Sequence, residues 1–475
     1  MLAAMLLLGR FSGLFRELEL ARAFGVSRDA DIAVVLLTLP DLLVNLLLTG
    51  GLSAALVPRF RQLPLDERAA LFRQASLWAT AAFSAAGIVL WLYPMIIFGV
   101  IAPGLPGLSD LAGGAVVAGV AIALPLTALS GVTAAYLNAQ GRYLVAGAGT
   151  LLFNLSVIAA LVGHSHGPDM LAMLALAIGA GAAFRLVSQV AVMPRSAMNS
   201  LSLRPFADRA MVQAFAAGAL AAALTLVPQI VVRAAASLLG SGTVASFNYA
   251  QKLVELPVGI LITTISTVAL TKLSGLIAEK REAEVRIELL KDLRLASLLA
   301  ALVVVFALFF ADAVVSLLFG RGQMDPAALA RVAALTRVAF LSVPFVAISS
   351  LMIAFLNAHL QTSIVFRITL SCVLTLPLLV APGLWLRSDG LLMGAVVVFQ
   401  AILAIWLARR ANIGLAGGEG VFAGKMVRAL AIGIAVAIPF LAMGLALKDY
   451  SNFLQLGFGG VGFLLALFCS ARVLR

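Results

Sequence analysis

Long apolar stretches separated by short polar turns follow one another along the whole chain. A helix needs about 20 consecutive apolar residues to cross the hydrocarbon of a bilayer. On that criterion the pattern predicts fourteen spans, at 2–24, 30–58, 69–102, 110–139, 143–163, 168–194, 208–238, 242–273, 288–319, 326–358, 362–383, 389–410, 422–446 and 452–472. The strict apolar–polar alternation of a membrane β-barrel is missing. The expected fold class is therefore an all-α polytopic membrane protein, with no cleavable signal ahead of the first helix. Residues 281–294 alternate charge with Val, Ile and Leu, which predicts an amphipathic helix on the membrane face before the ninth span.

The interruptions in this pattern carry the chemistry. The first two spans contain Arg10, Arg16, Glu17, Asp31, Asp41 and Asn45. An ionised side chain at membrane depth costs about 2.5–3.5 kcal/mol on insertion scales, so such groups face a bundle interior or a wet cavity. At about 100° per residue, Gly9, Arg10, Gly13, Arg16 and Glu17 share one side of the first helix. Asp31, Thr38, Asp41, Asn45, Thr49 and Ser53 form one seam of the second, and Pro40 and Gly50-Gly51 weaken the helix within it. The alternative is that these groups satisfy each other across a buried interface, Arg16 with Asp31 or Asp41.

An internal repeat organises the chain. Leu39-Pro40 recurs as Leu256-Pro257, and the same offset carries Arg16 onto Arg233, Asp31 onto Asn248 and Thr49 onto Ser266. Tyr136-Leu137-Asn138-Ala139 recurs as Phe355-Leu356-Asn357-Ala358, and Phe98-Gly99 as Phe319-Gly320. Two six-helix halves follow, at 1–195 and 208–411, joined by a linker at 196–207 and followed by two further helices within 412–475. Because six is even, the halves are parallel repeats, an arrangement that places a central cavity between them. The polar seam repeats too: Asn248, Lys252, Glu255, Gly259, Thr263 and Ser266 share a face of the eighth span, and Gln229 and Arg233 a face of the seventh. Lys252 and Glu255, three apart, are also placed to neutralise each other. Arg185 and Gln189, four apart in the sixth span, read equally as a buried pair or a functional one.

Composition agrees with this architecture, at 63% hydrophobic and 11% charged over 475 residues. The net charge of +12 would suit nucleic acid, but its distribution argues otherwise. Alternate loops carry most of the Lys and Arg, while the intervening ones hold only Arg28, Arg321, Arg387 and Lys448. This asymmetry predicts cytoplasmic chain ends and a basic face against anionic lipid, with no nucleic-acid partner. Cys372 and Cys469 fall within apolar spans and read as packing residues. His164 and His166 in GHSHGPD lack further ligands nearby, so neither metal nor cofactor is expected.

Gly9-Arg10 through Gly13, Arg16-Glu17 and Phe24-Gly25 resemble the opening of the MviN/MurJ family of lipid II flippases, within the multidrug/oligosaccharidyl-lipid/polysaccharide exporter superfamily. Asp29-Ala30-Asp31, Leu39-Pro40 and Gly51-Leu52-Ser53 to Val57-Pro58 are similar to the family's second helix. Tyr249-Ala250-Gln251-Lys252-Leu253 with Glu255-Leu256-Pro257, and Phe319-Gly320-Arg321-Gly322, are similar to segments of its second half. The resemblance implies a non-enzymatic transporter of the bacterial inner membrane, acting as a monomer on an undecaprenyl-diphosphate-linked glycan, with coupling to membrane potential or an ion. It places Arg10, Arg16, Asp31 and Lys252 at functional charged positions. Arg10 and Arg16 would contact the diphosphate, supported by Lys252 and Arg233, and Asp31 would act as a gate. Asn45, Asp41 and Glu255 complete the candidate set. Guanidinium groups suit this work because they bind a diphosphate bidentately.

The sequence also departs from the family pattern. Val44-Asn45 stands where a basic pair is usual, Thr49 replaces a Glu, Lys252 replaces an Arg, and the seventh and eleventh spans contain no carboxylate for a sodium site. These departures keep another lipid-linked glycan, such as an exopolysaccharide or O-antigen unit, as a rival substrate. A multidrug cation antiporter shares the architecture and stays open on charge counting, whereas a membrane-embedded glycosyltransferase lacks the paired carboxylates it would need.

Overall fold

The computed structural model describes residues 2–105, 107, 109–163, 169–194, 209–414 and 451–473, all helical or in short connections, with no strand among them. The expected span at 422–446, the linker at 196–207, and His164 and His166 lie outside the described residues. Every other expected span coincides with a helix or a run of helices. Among the described residues, ten helical stretches are long and apolar enough to cross a membrane, or eleven when one bent pair counts as a single span. That pair is α13 (Pro326–Phe340) and α14 (Val343–Ala358), bent by 40°. In the second of these, Pro344 occupies the first turn, where its missing N–H costs nothing.

The chain forms two compact units, Met1–Ala245 and Ser246–Arg475. In the first, α1 (Leu2–Phe24) lies on α7 (Tyr143–Gly163). Helix α6 (Ala115–Ala139) is flanked by α4 (Leu65–Leu92) and α8 (Met170–Val190). One end of this bundle is packed by Phe60, Phe72 and Tyr136, whose rings meet edge-on at 5.2 and 5.3 Å, among Leu56, Leu71 and Val132. These aromatics bury large apolar areas in a specific geometry. Helix α9 (Arg209–Ser237) also belongs to this unit. In the second unit, α12 (Glu282–Phe319) packs against α13, α14 and α18 (Asn452–Val473), and α14 against α17 (Asp389–Gly414).

The internal repeat has a backbone counterpart. Helix α2 (Arg28–Val44) contains Pro40 and passes into a π-helical segment, Asn45–Gly51, before continuing as α3 (Leu52–Gln62). Helix α10 (Thr243–Pro257) ends on the matching proline and passes into a π-helical segment, Val258–Ile262, before α11 (Thr263–Ala278). Proline removes one ladder hydrogen bond and its ring crowds the carbonyl four residues back, so a widened turn nearby relieves the ladder. In the first unit the widened turn also admits a neighbour. A Cβ on Gly51 would fall 2.7 Å from a ring carbon of Phe215 on α9.

The charged stretch at 281–294 is not a separate surface helix. It forms the first turns of the 38-residue α12, with Val285, Leu289 and Leu293 buried and Glu284, Ile287 and Lys291 exposed. No helix breaker separates the amphipathic stretch from the apolar span, so the hydrogen-bond ladder continues through both.

Candidate functional site

The first two helices are joined by a turn that the sequence specifies residue by residue. Gly25 adopts φ +60° and its N–H bonds the carbonyl of Ala21, closing α1 in the left-handed conformation that glycine tolerates best. Ser27 then caps α2 by accepting from the Ala30 N–H at 3.1 Å.

Arg16 is the centre of the polar cluster in the first unit and is 3% exposed. Its Nη2 lies 2.9 Å from Glu17 Oε1 and 2.9 Å from Asp41 Oδ2, and its Nη1 donates to Asn154 Oδ1 at 3.2 Å. Asn154, on α7, donates in turn to Ser12 Oγ at 2.9 Å and to the Gly9 carbonyl at 3.5 Å. Glu17 is fully enclosed, whereas the Asp41 side chain is 43% exposed. The cluster therefore reaches the protein surface through Asp41. Arg16 Nε is buried without a hydrogen-bond partner, so the guanidinium is held through its two Nη groups. Removing one member of such a buried set leaves uncompensated charge, at a cost of about 3–5 kcal/mol.

The other candidates are placed differently. Arg10, two turns earlier on α1, is exposed. Asn45 is exposed and its Nδ2 donates to the Asp41 carbonyl at 3.0 Å, at the start of the widened turn. Asp31 is completely buried and accepts from the backbone N–H groups of Gly242 at 2.6 Å and Ala245 at 2.7 Å. It thus satisfies donors that the start of α10 would otherwise leave open, and the negative charge suits that helix end. Arg233 on α9 donates through Nη1 to Thr38 Oγ1 at 2.6 Å, tying the repeat counterpart of Arg16 to the seam of α2. The side chains of Thr49 and Ser53 lie outside the described residues.

In the second unit Lys252 Nζ is 2.8 Å from Glu255 Oε2, with side chains 25% and 51% exposed. Below them Thr263, Thr264 and Thr267 are exposed and bond their own helix's carbonyls. The ion pairs that sequence reading allowed as structural, Arg16 with Asp41 and Lys252 with Glu255, are thus both present. Sequence reading missed Asn154, although a lone carboxamide in an otherwise apolar span is the same signal that marked Arg16. No group of three or more His, Cys, Asp or Glu able to hold a metal occurs among the described residues.

Comparison with known proteins gives this geometry a context. The family model described as lipid II flippase MurJ matches residues 20–464. A lipid II flippase MurJ of Burkholderia cenocepacia is 29% identical over 337 residues, covering 67% of this chain and 64% of that relative. Among solved structures, a lipid II flippase MurJ in an inward closed conformation superposes with a TM-score of 0.83 over 100% of this chain and 99% of its own, at 17% identity. An inward-facing multidrug resistance MATE family transporter of the MOP superfamily gives 0.70 over 86% of this chain and 96% of its own, at 15% identity. The two structural likenesses concern the fold, and the family match spans most of the chain: this protein belongs to the MurJ family of lipid II flippases.

Proposed function

We propose that the protein moves lipid II, the undecaprenyl-diphosphate-linked peptidoglycan precursor, across the bacterial inner membrane, with both chain ends in the cytoplasm. The observation that carries the reading is the Arg16 cluster: a buried guanidinium held through both Nη groups, whose carboxylate partner Asp41 is half-exposed. A diphosphate approaching this cluster competes with Asp41 for Nη2. Asp41 is the partner able to yield, because water is available to solvate it, whereas Glu17 is enclosed. Arg10, exposed two turns away on the same helix, supplies a second cation for the headgroup, and charge-assisted bidentate contacts of this kind are the strong ones. Lys252 and Arg233 support the headgroup, and Asp31, Asn45 and Glu255 set the polar surroundings. Alternating access between the two repeats carries the headgroup across while the polyprenyl tail stays in lipid. A substrate contact made in only one state is what shifts such an equilibrium. The protein acts as a monomer without a chemical step on the substrate, and displacement of net charge makes turnover sensitive to membrane potential, at about 2.3 kcal/mol per charge per 100 mV.

A second reading, transport of another polyprenyl-diphosphate-linked glycan, is favoured by Val44-Asn45, an uncharged pair on the polar seam of α2. The deciding experiment is expression in cells depleted of their own lipid II flippase. Rescue of growth and shape supports lipid II. Failure with normal membrane insertion overturns that choice in favour of the other glycan.

A further inference from the structure

In the second unit, the start of α12 carries an unevenly matched set of charges against α11. Lys272 of α11 places Nζ 2.8 Å from Glu288 Oε1, and Lys291, three residues beyond Glu288, approaches the same oxygen at 3.6 Å. Two cations thus share one carboxylate oxygen. One turn further along α12, Asp292 is 8% exposed, and its Oδ2 is enclosed without a hydrogen-bond partner. Asp292 forms no ion pair among the described residues, although Lys272, Lys291 and Glu288 all act on it through their charges. Turning the carboxylate end for end does not remove the mismatch, since both of its oxygens are acceptors. A buried acceptor left without a donor is disfavoured.

A second arrangement of the same four side chains leaves none of them over. Residues four apart on a helix share a face and lie about 6 Å apart along its axis, a step that a lysine covers by swinging its flexible four-carbon stem. The Lys272 side chain is 49% exposed, so about half of it is unpacked. Moving its head to Asp292 gives the buried carboxylate a cation, and Lys291, already beside Glu288, takes over there as an i,i+3 partner. We propose that these residues form a two-position latch between α11 and α12: Lys272 holds Glu288 in the arrangement seen here and Asp292 in the other state of the transport cycle. The widened turn Val258–Ile262 separates α11 from the Lys252–Glu255 pair of α10, and such turns occur frequently at functional sites. A contact that exists in one state only biases the equilibrium between the two, and Asp292 is the group whose demand is met only in the second.

The test is a set of variants of the full-length protein, read by thermal unfolding and by rescue of flippase-depleted cells. Asp292→Asn leaves the Lys272–Glu288 contact in place. Its Tm is expected to hold or rise, while transport falls by at least about fivefold, the lower end of ordinary coupling between states. Glu288→Gln drives Lys272 to Asp292, so in that background Asp292→Asn lowers Tm by a few degrees, the non-additivity that residues sharing one partner show. Two outcomes overturn the latch: full transport by Asp292→Asn, or the same Tm change for Asp292→Asn with and without Glu288→Gln. The unfolding cycle involves no substrate. Should the unmutated protein fail to rescue, the lipid II reading falls and the cycle still decides the latch.

Discussion

In the first unit Arg16 is enclosed and held by two carboxylates and an amide drawn from three helices. In the second unit Lys252 lies partly in the open and pairs with Glu255, three residues further along its own helix. Arg16 reaches the polar seam of α2 through Asp41, Lys252 sits in the seam of α10, and both of these seams pass through a widened turn after Leu-Pro. The contrast separates two jobs that sequence reading merges under one heading of intramembrane charge. The Arg16 cluster links helices and bears on stability, whereas the Lys252 pair is local and screened, and exposed pairs of that kind contribute about 0–1 kcal/mol.

The sharpest way to break this comparison is Arg16→Ala, which removes the cation that Glu17 and Asp41 share. A loss of about 3–5 kcal/mol of stability together with failure to rescue flippase-depleted cells is expected, read by thermal unfolding and by growth with membrane insertion controlled. Arg16→Lys keeps the charge but not the fork, and should recover much of the stability with little of the transport. Next in size is Asp31→Ala. It removes an acceptor from two buried N–H groups at the start of α10, and a loss of about 2–3 kcal/mol in unfolding free energy is expected. Asn154→Leu should cost about 1–3 kcal/mol, because Arg16 Nη1 and Ser12 lose their partner, and should lower transport through misplacement of Arg16. The smallest stability effect belongs to Lys252→Ala, within about 0.5 kcal/mol. If Lys252 meets the diphosphate, transport falls while Tm does not, and Lys252→Arg preserves or raises it. A Lys252→Ala protein with unchanged transport would reduce that pair to a local ion bridge.

Much of the architecture was legible because membrane length is a one-dimensional criterion, which an apolar run meets or fails by itself. The widened turns were foreshadowed by Pro40, Gly50 and Gly51, whose backbone effects are local. Partner choice was not legible. Asp31 bonds N–H groups more than two hundred positions away, and nothing in its own neighbourhood distinguishes a helix cap from a gate. Arg16 had two carboxylates of α2 to choose from, Asp31 and Asp41, and it pairs with the second while the first caps the start of α10. Asn154 escaped notice because a neutral carboxamide carries no charge to count. The stretch at 281–294 was read correctly as amphipathic but wrongly as separate, since amphipathicity says which side of a helix is wet and not where the helix stops.

The length of α12 has a mechanical corollary. At about 1.5 Å per residue its 38 residues make a rod of about 57 Å, nearly twice the roughly 30 Å of hydrocarbon a bilayer offers. The end bearing Arg286, Lys291 and Arg294 must therefore project beyond the acyl chains or tilt the rod steeply. Whatever grips that end, lipid headgroup or neighbouring protein, has a stiff handle on Phe310 and Phe319 in the packed interior of the second unit.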